Sequence, residues 1–88
     1  MNIYRFKRVT HDALRKFLPD IGFECTPADA DIFYSIGRGM RYCLTSDGIR
    51  YDERRRDGTW ERVRWALLKD LTFVRGQLKG LKIGGMDG

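Results

Sequence analysis

Few side chains here are of a type that does bond-making chemistry. The single histidine, His11, follows a helix-capping threonine and neighbours Asp12; as a general base it would need a nucleophile or second acid from elsewhere in the chain. Cys25 and Cys43 stand eighteen positions apart in apolar surroundings. That spacing fits neither a zinc site nor a CxxC redox pair, so both read as buried, reduced thiols. Asp29 and Asp31 read as charges near a helix N-terminus rather than an acid/base pair. The glycines of "GRG" and "GGMDG" lack the strand, helix and Lys-Ser/Thr ending of a phosphate loop. No catalytic residue, metal site or cofactor is expected.

The residues that stand out are cationic and aromatic. Residues 51–65, "YDERRRDGTWERVRW", hold five arginines, four carboxylates and two tryptophans. Twelve of the seventeen basic residues are arginine, whose planar fork suits bidentate contact with phosphate or carboxylate. Charge is unevenly spread: residues 19–37 carry four acids and no base, whereas residues 38–64 carry eight bases and five acids within a net charge of +5. A molecule with two electrically distinct regions follows. The interleaved acids weigh against a dedicated duplex-binding patch, because each weakens counterion release.

These residues need elements to position them. "NIYRFKRV" alternates as a short strand or extended arm, with Tyr4 and Phe6 on one side. Thr10 is a predicted N-cap, Val9 and Leu14 form a hydrophobic staple, and Ala13, Leu14, Phe17 and Leu18 make one apolar stripe that Pro19 ends. In "CTPADADIFYSIGRG", Thr26 as cap, Pro27 at the first helical position and Gly37 as stop predict a helix over 27–36; a strand from Asp31 to Ile36 is the competing reading. From Met40 the period becomes two, and two Asp-Gly turns predict a three-stranded antiparallel meander over about 40–65. Leu67, Leu68, Leu71 and Val74 then sit near helical spacing, with Gly76 as a stop.

The expectation is an α+β fold, a small single domain over 1–79 in which the meander packs against two or three short helices, followed by a Gly-rich C-terminal tail over 80–88. Alternation places Met40, Tyr42, Leu44, Ile49, Tyr51, Val63 and Trp65 inward, and Arg41, Arg50, Arg54, Trp60, Arg62 and Arg64 on the open face. No apolar run approaches the roughly 18 residues of a membrane span, and the chain is expected in the cytoplasm. No pattern specifies an oligomeric state, although the first meander strand is a candidate edge.

The expected function is non-catalytic binding of nucleic acid or a nucleoprotein complex. Arg41, Arg50, Arg54, Arg62 and Arg64 would contact the anion, Arg55 and Arg56 would steer it at the loop tip, and Trp60 would stack or anchor. The alternative is a protein-binding inhibitor or adaptor, comparable to the accessory proteins that phages direct at host complexes, with Trp60 and Tyr34 as anchors. Two helices followed by a hairpin over about 10–54 also resemble, in element order, winged-helix DNA-binding domains. That resemblance implies a recognition helix at Pro27–Ile36, a segment with two aspartates and no Arg, Lys, Asn or Gln.

Overall fold

The computed structural model describes residues 8–84; the N-terminal arm expected around Tyr4 and Phe6 lies outside them. Thr10 caps the first element as expected. Its backbone is extended and its hydroxyl accepts a hydrogen bond from the Ala13 amide at 3.1 Å, opening helix α1, His11–Asp20. Leu14, Phe17 and Leu18 make its buried stripe. The helix runs two residues past the expected stop at Leu18, because Pro19 falls in the final turn, where its missing amide removes only one helical bond. Gly22, at φ +92°, then turns the chain into the sheet.

The segment expected as a second helix is a hairpin. Strand β1, Phe23–Thr26, pairs antiparallel with β2, Asp29–Ser35, around Pro27 and Ala28. Pro27 suits a turn as well as a first helical turn, since both need φ near −65°. What decides is pairing of Ile32, Phe33 and Tyr34 with the next strand, β3, Met40–Leu44, which rewards their β-branched and aromatic side chains. Within this segment Phe33 is buried, at 2% exposure, while Ile36 is 90% exposed. The winged-helix reading falls with this helix.

The expected three-stranded meander is not a sheet of its own: β3 is followed by β4, Gly48–Arg54, and β5, Trp60–Leu67, in antiparallel order. It is the middle of a larger six-stranded antiparallel sheet in the order β1-β2-β3-β4-β5-β8. Its first turn closes with Thr45 and Gly48 exchanging backbone hydrogen bonds. In its second turn the Asp57 carboxylate accepts from the Thr59 amide at 2.9 Å and Gly58 takes φ +88°.

The expected C-terminal helix is absent from the described residues. After β5 come a 3₁₀ turn, Leu68–Asp70, and a separate hairpin of β6, Thr72–Val74, and β7, Gln77–Lys79. Arg75 and Gly76 both have positive φ, as a tight two-residue hairpin turn requires. Leu71 and Phe73 are buried and Val74 is not, so period two displaces the apparent helical spacing of the leucines. Beyond Lys79, where a tail was expected, β8, Lys82–Ile83, pairs with Arg64 and Trp65 of β5.

The core lies on one side of the sheet. Phe23, Phe33, Ile49 and Ala66 meet Leu14, Phe17 and Leu18 of α1, together with Leu71 and Phe73; Phe17 and Phe73 stack with centroids 5.1 Å apart. Tyr42 and Tyr51 edge this core, their rings 5.0 Å apart, and the Tyr51 hydroxyl donates to Glu53 at 3.1 Å. The opposite face has no covering layer among the described residues. No helix among them is long and apolar enough to cross a membrane.

Two outcomes follow. A Cβ on Gly48 would lie 1.9 Å from the Ala66 carbonyl oxygen, whereas one on Gly39 meets nothing within 4 Å. Gly48→Ala should therefore cost about 2 kcal/mol or more in denaturant unfolding, with Gly39→Ala near neutral; equal midpoints for the two variants would contradict the packing. Burial and the Glu53 hydrogen bond push the Tyr51 phenol from 10.0 up to about 12. A proton held more tightly when folded stabilises fully below the unfolded pKa, so stability should fall as pH rises from 10.0 to about 12. Tyr51→Phe should flatten this alkaline decline, and an unchanged decline would remove the linkage.

Candidate functional site: the open face of the sheet

The open face is organised around one carboxylate. Cross-strand register sets Arg41 opposite Asp52 and Cys43 opposite Arg50, so all four side chains share that face. Asp52 is 2% exposed although no layer covers it. Its cover is the two arginines: Arg41 Nε donates to Oδ2 at 2.9 Å and Arg50 Nε lies 3.4 Å from the same oxygen. Burial lowers the Arg41 pKa, but the hydrogen bonds to Asp52 and the Tyr34 hydroxyl outweigh it, and the net shift is upward. The Cys43 thiol, 3.7 Å from the same Oδ2, is pushed up by burial and by that carboxylate. It is thereby held as a neutral thiol, unsuited to nucleophilic work.

From this centre, aromatic and cationic groups run across the strands. The Arg41 guanidinium lies 4.2 Å over the Trp60 ring, Trp60 meets Tyr34 at 5.9 Å, and Arg38 lies 4.0 Å over Tyr34. On the other side Trp65, opposite Arg50, carries Lys82 at 5.0 Å. Cation–π pairs of this kind contribute about 0.5 to 1 kcal/mol each at exposed positions.

The expected site residues divide into groups. Arg41 and Arg50 are on the face but bound to Asp52. Trp60, expected to be exposed, is half-buried between Arg41 and Tyr34. Arg54, Arg55, Arg56 and Arg62 are exposed at the end where the β4–β5 loop turns, with Arg55 at 3.5 Å from Glu61. Arg64 is a correction. A β-bulge shifts the register so that Tyr51 pairs with Arg64 while Asp52 pairs with Arg62, leaving Val63 as the extra residue. The alternation inverts there: Arg64 moves to the core side, near enough to Tyr42 and Tyr51 to act on both phenols, and Trp65 moves to the open face.

The thiols also differ from expectation, since Cys43 is buried but Cys25 is exposed. Sequence reasoning missed Arg38, Trp65 and Lys82. Arg38 sits in an irregular loop at φ 57°, and Trp65 and Lys82 depend on the bulge and on a two-residue strand. None of these leaves a periodic signal. Away from this face, Arg15 bridges Asp12 and Asp31 at 3.0 Å each, partly neutralising the acidic region. No group of three or more His, Cys, Asp or Glu among the described residues could hold a metal ion.

Removing the Asp52 carboxylate leaves Arg41 and Arg50 facing each other uncompensated. Asp52→Ala should cost about 3 kcal/mol and, by freeing Arg41, change Trp60 fluorescence in the folded state; an unfolding free energy within about 0.5 kcal/mol of the parent would contradict the role given to this carboxylate. In comparisons with known proteins, no family model, no curated protein and no solved structure matches this chain.

Proposed function

We propose that the protein is a non-catalytic binding protein that engages nucleic acid, alone or within a nucleoprotein complex, through the cationic end of its open sheet face. One observation carries this reading. Among the described residues, no carboxylate pairs with Arg38, Arg54, Arg56 or Arg62, yet they gather at one end of the sheet. The β2–β3 loop that holds Arg38 is tied to β4 by a 2.9 Å hydrogen bond from the Arg54 amide to the Gly39 carbonyl.

None of the interleaved acids forms an ion pair with these four cations: two are held by other arginines, and three keep their charge but accept from neutral hydroxyls. Asp52 holds Arg41 and Arg50, Glu61 pairs with Arg55, Glu53 accepts from Tyr51, Asp57 accepts from Thr59 and Asp47 from Thr45. The free guanidiniums are left to face phosphates, while Trp60 and Tyr34 add an aromatic surface beside them.

A second reading has its own support. Both rings already carry a guanidinium, and Ile36 and Met40 are exposed at the same end. Aromatic, arginine and apolar groups together resemble a protein hot spot, as a phage-type inhibitor or adaptor acting on a host protein complex would use.

Salt separates the two. Four phosphate contacts on a single strand imply a log–log slope of about −3, roughly a fifty-fold loss of affinity between about 50 and 200 mM salt. Fluorescence anisotropy with labelled oligonucleotides should show this slope, and Arg54→Glu with Arg62→Glu should abolish binding. No binding at low salt would sink the nucleic-acid reading. Retention of a purified protein partner at high salt, lost on Ile36→Asp, would establish the second.

A further inference from the structure

Of the two neighbouring rings at the cationic end of the open face, Trp60 and Tyr34, only one is available to a ligand. Arg41 over Trp60 is pinned from below by Asp52 at 2.9 Å, so that ring face is permanently occupied. Arg38 over Tyr34 is exposed, and among the described residues its guanidinium has no carboxylate partner. It can swing away from the ring at the cost of one ring contact, which a stacked planar group would replace.

Beside Tyr34 is an open hollow of about 170 Å³ whose lining includes Gly22, Glu24, Cys25, Tyr34, Ile36 and Arg38. It is small against the roughly 300 to 1,000 Å³ of sites for drug-sized ligands, and suits one ring system. Glu24 stands directly opposite Tyr34 in the β1–β2 register, so its carboxylate flanks the ring on the same face.

Building on the nucleic-acid reading above, we infer that this hollow is a site for one unpaired nucleobase of a single strand. The base stacks on Tyr34, Arg38 moves onto the adjacent phosphate, and Glu24 accepts a hydrogen bond from the base's amino group. A carboxylate acceptor suits cytosine N4–H and the other amino-bearing bases, and disfavours thymine, which presents O4 at the equivalent position. A base in a duplex is stacked and paired, and cannot enter.

The test is anisotropy at low salt with short oligo(dC), oligo(dT), a duplex and free deoxycytidine monophosphate. The parent should prefer oligo(dC) to oligo(dT). Tyr34→Ala should weaken oligo(dC) by about tenfold or more, Tyr34→Phe should retain most of the affinity, and duplex binding should not change. Glu24→Gln, a surface substitution that decides the matter if Tyr34→Ala fails to fold, should narrow the gap between oligo(dC) and oligo(dT). Salt-dependent oligonucleotide binding that ignores Tyr34 and Glu24 would overturn this site and leave the wider reading standing; no oligonucleotide binding at all would overturn both. Deoxycytidine monophosphate binding as tightly as oligo(dC) would assign the hollow to a free nucleotide and overturn the single-strand source.

Discussion

The charge on Asp52 is the constraint around which the open face is arranged. A carboxylate at 2% exposure on an uncovered sheet face is tolerable only if cations both pair with it and exclude water from it. Arg41 and Arg50 do both, one from β3 and one from β4 itself. Register makes this arrangement possible: slipping β3 against β4 by one residue would send Arg41 to the core side and strand the carboxylate. The same ion group therefore selects the pairing of the central strands and holds a guanidinium over Trp60. Trp60 in turn meets Tyr34 from β2, so four strands are tied through one side-chain network.

A second constraint is the bulge at Val63. Without it, strict alternation would put Arg64 on the open face and Trp65 in the core. With it, β5 changes sides midway: its first half offers Trp60 and Arg62 beside Asp52, and its second half offers Trp65 beside Arg50. The core side receives Ala66, 2% exposed and opposite the buried Ile49, where a side chain as large as tryptophan would overpack the site. A bulge thus reconciles a tightly packed strand end with an aromatic outer face, and it leaves Lys82 of β8 a ring to lie over.

What could be read from the sequence was what depends on neighbours in the chain. The cap at Thr10 and the Asp-Gly turns are local chemistry, so α1 and the three central strands were legible, as was an open face bearing Arg41, Arg50, Arg54, Trp60 and Arg62. The 27–36 segment was not, because Pro27 suits a turn and a helix start equally, and the choice is made by β3 across the sheet. The leucines after Trp65 misled for a related reason. Their spacing is compatible with period 3.6, yet the tight turn at Arg75 and Gly76 reverses the chain and leaves Leu71 and Phe73 to alternate into the core. The bulge that moves Arg64 and Trp65 has no sequence signature at all.

The arrangement also resolves the apparent conflict between many arginines and many interleaved acids. Counted along the chain, the acids of residues 38–64 dilute the cations. Counted in space, they sort the cations into two kinds. Arg41 and Arg50 are immobilised by Asp52 and Arg55 is loosely held by Glu61, whereas Arg38, Arg54, Arg56 and Arg62 have no carboxylate partner among the described residues. Fixed cations are poor ligand contacts, since releasing them would uncover a buried charge. They are good positioning groups, because they do not move when a ligand arrives. The free ones keep side-chain entropy and hydration that the proposed anionic ligand would have to order, which would limit affinity while keeping the face adaptable. A surface built this way gains its shape from the arginines it cannot offer and its reach from those it can.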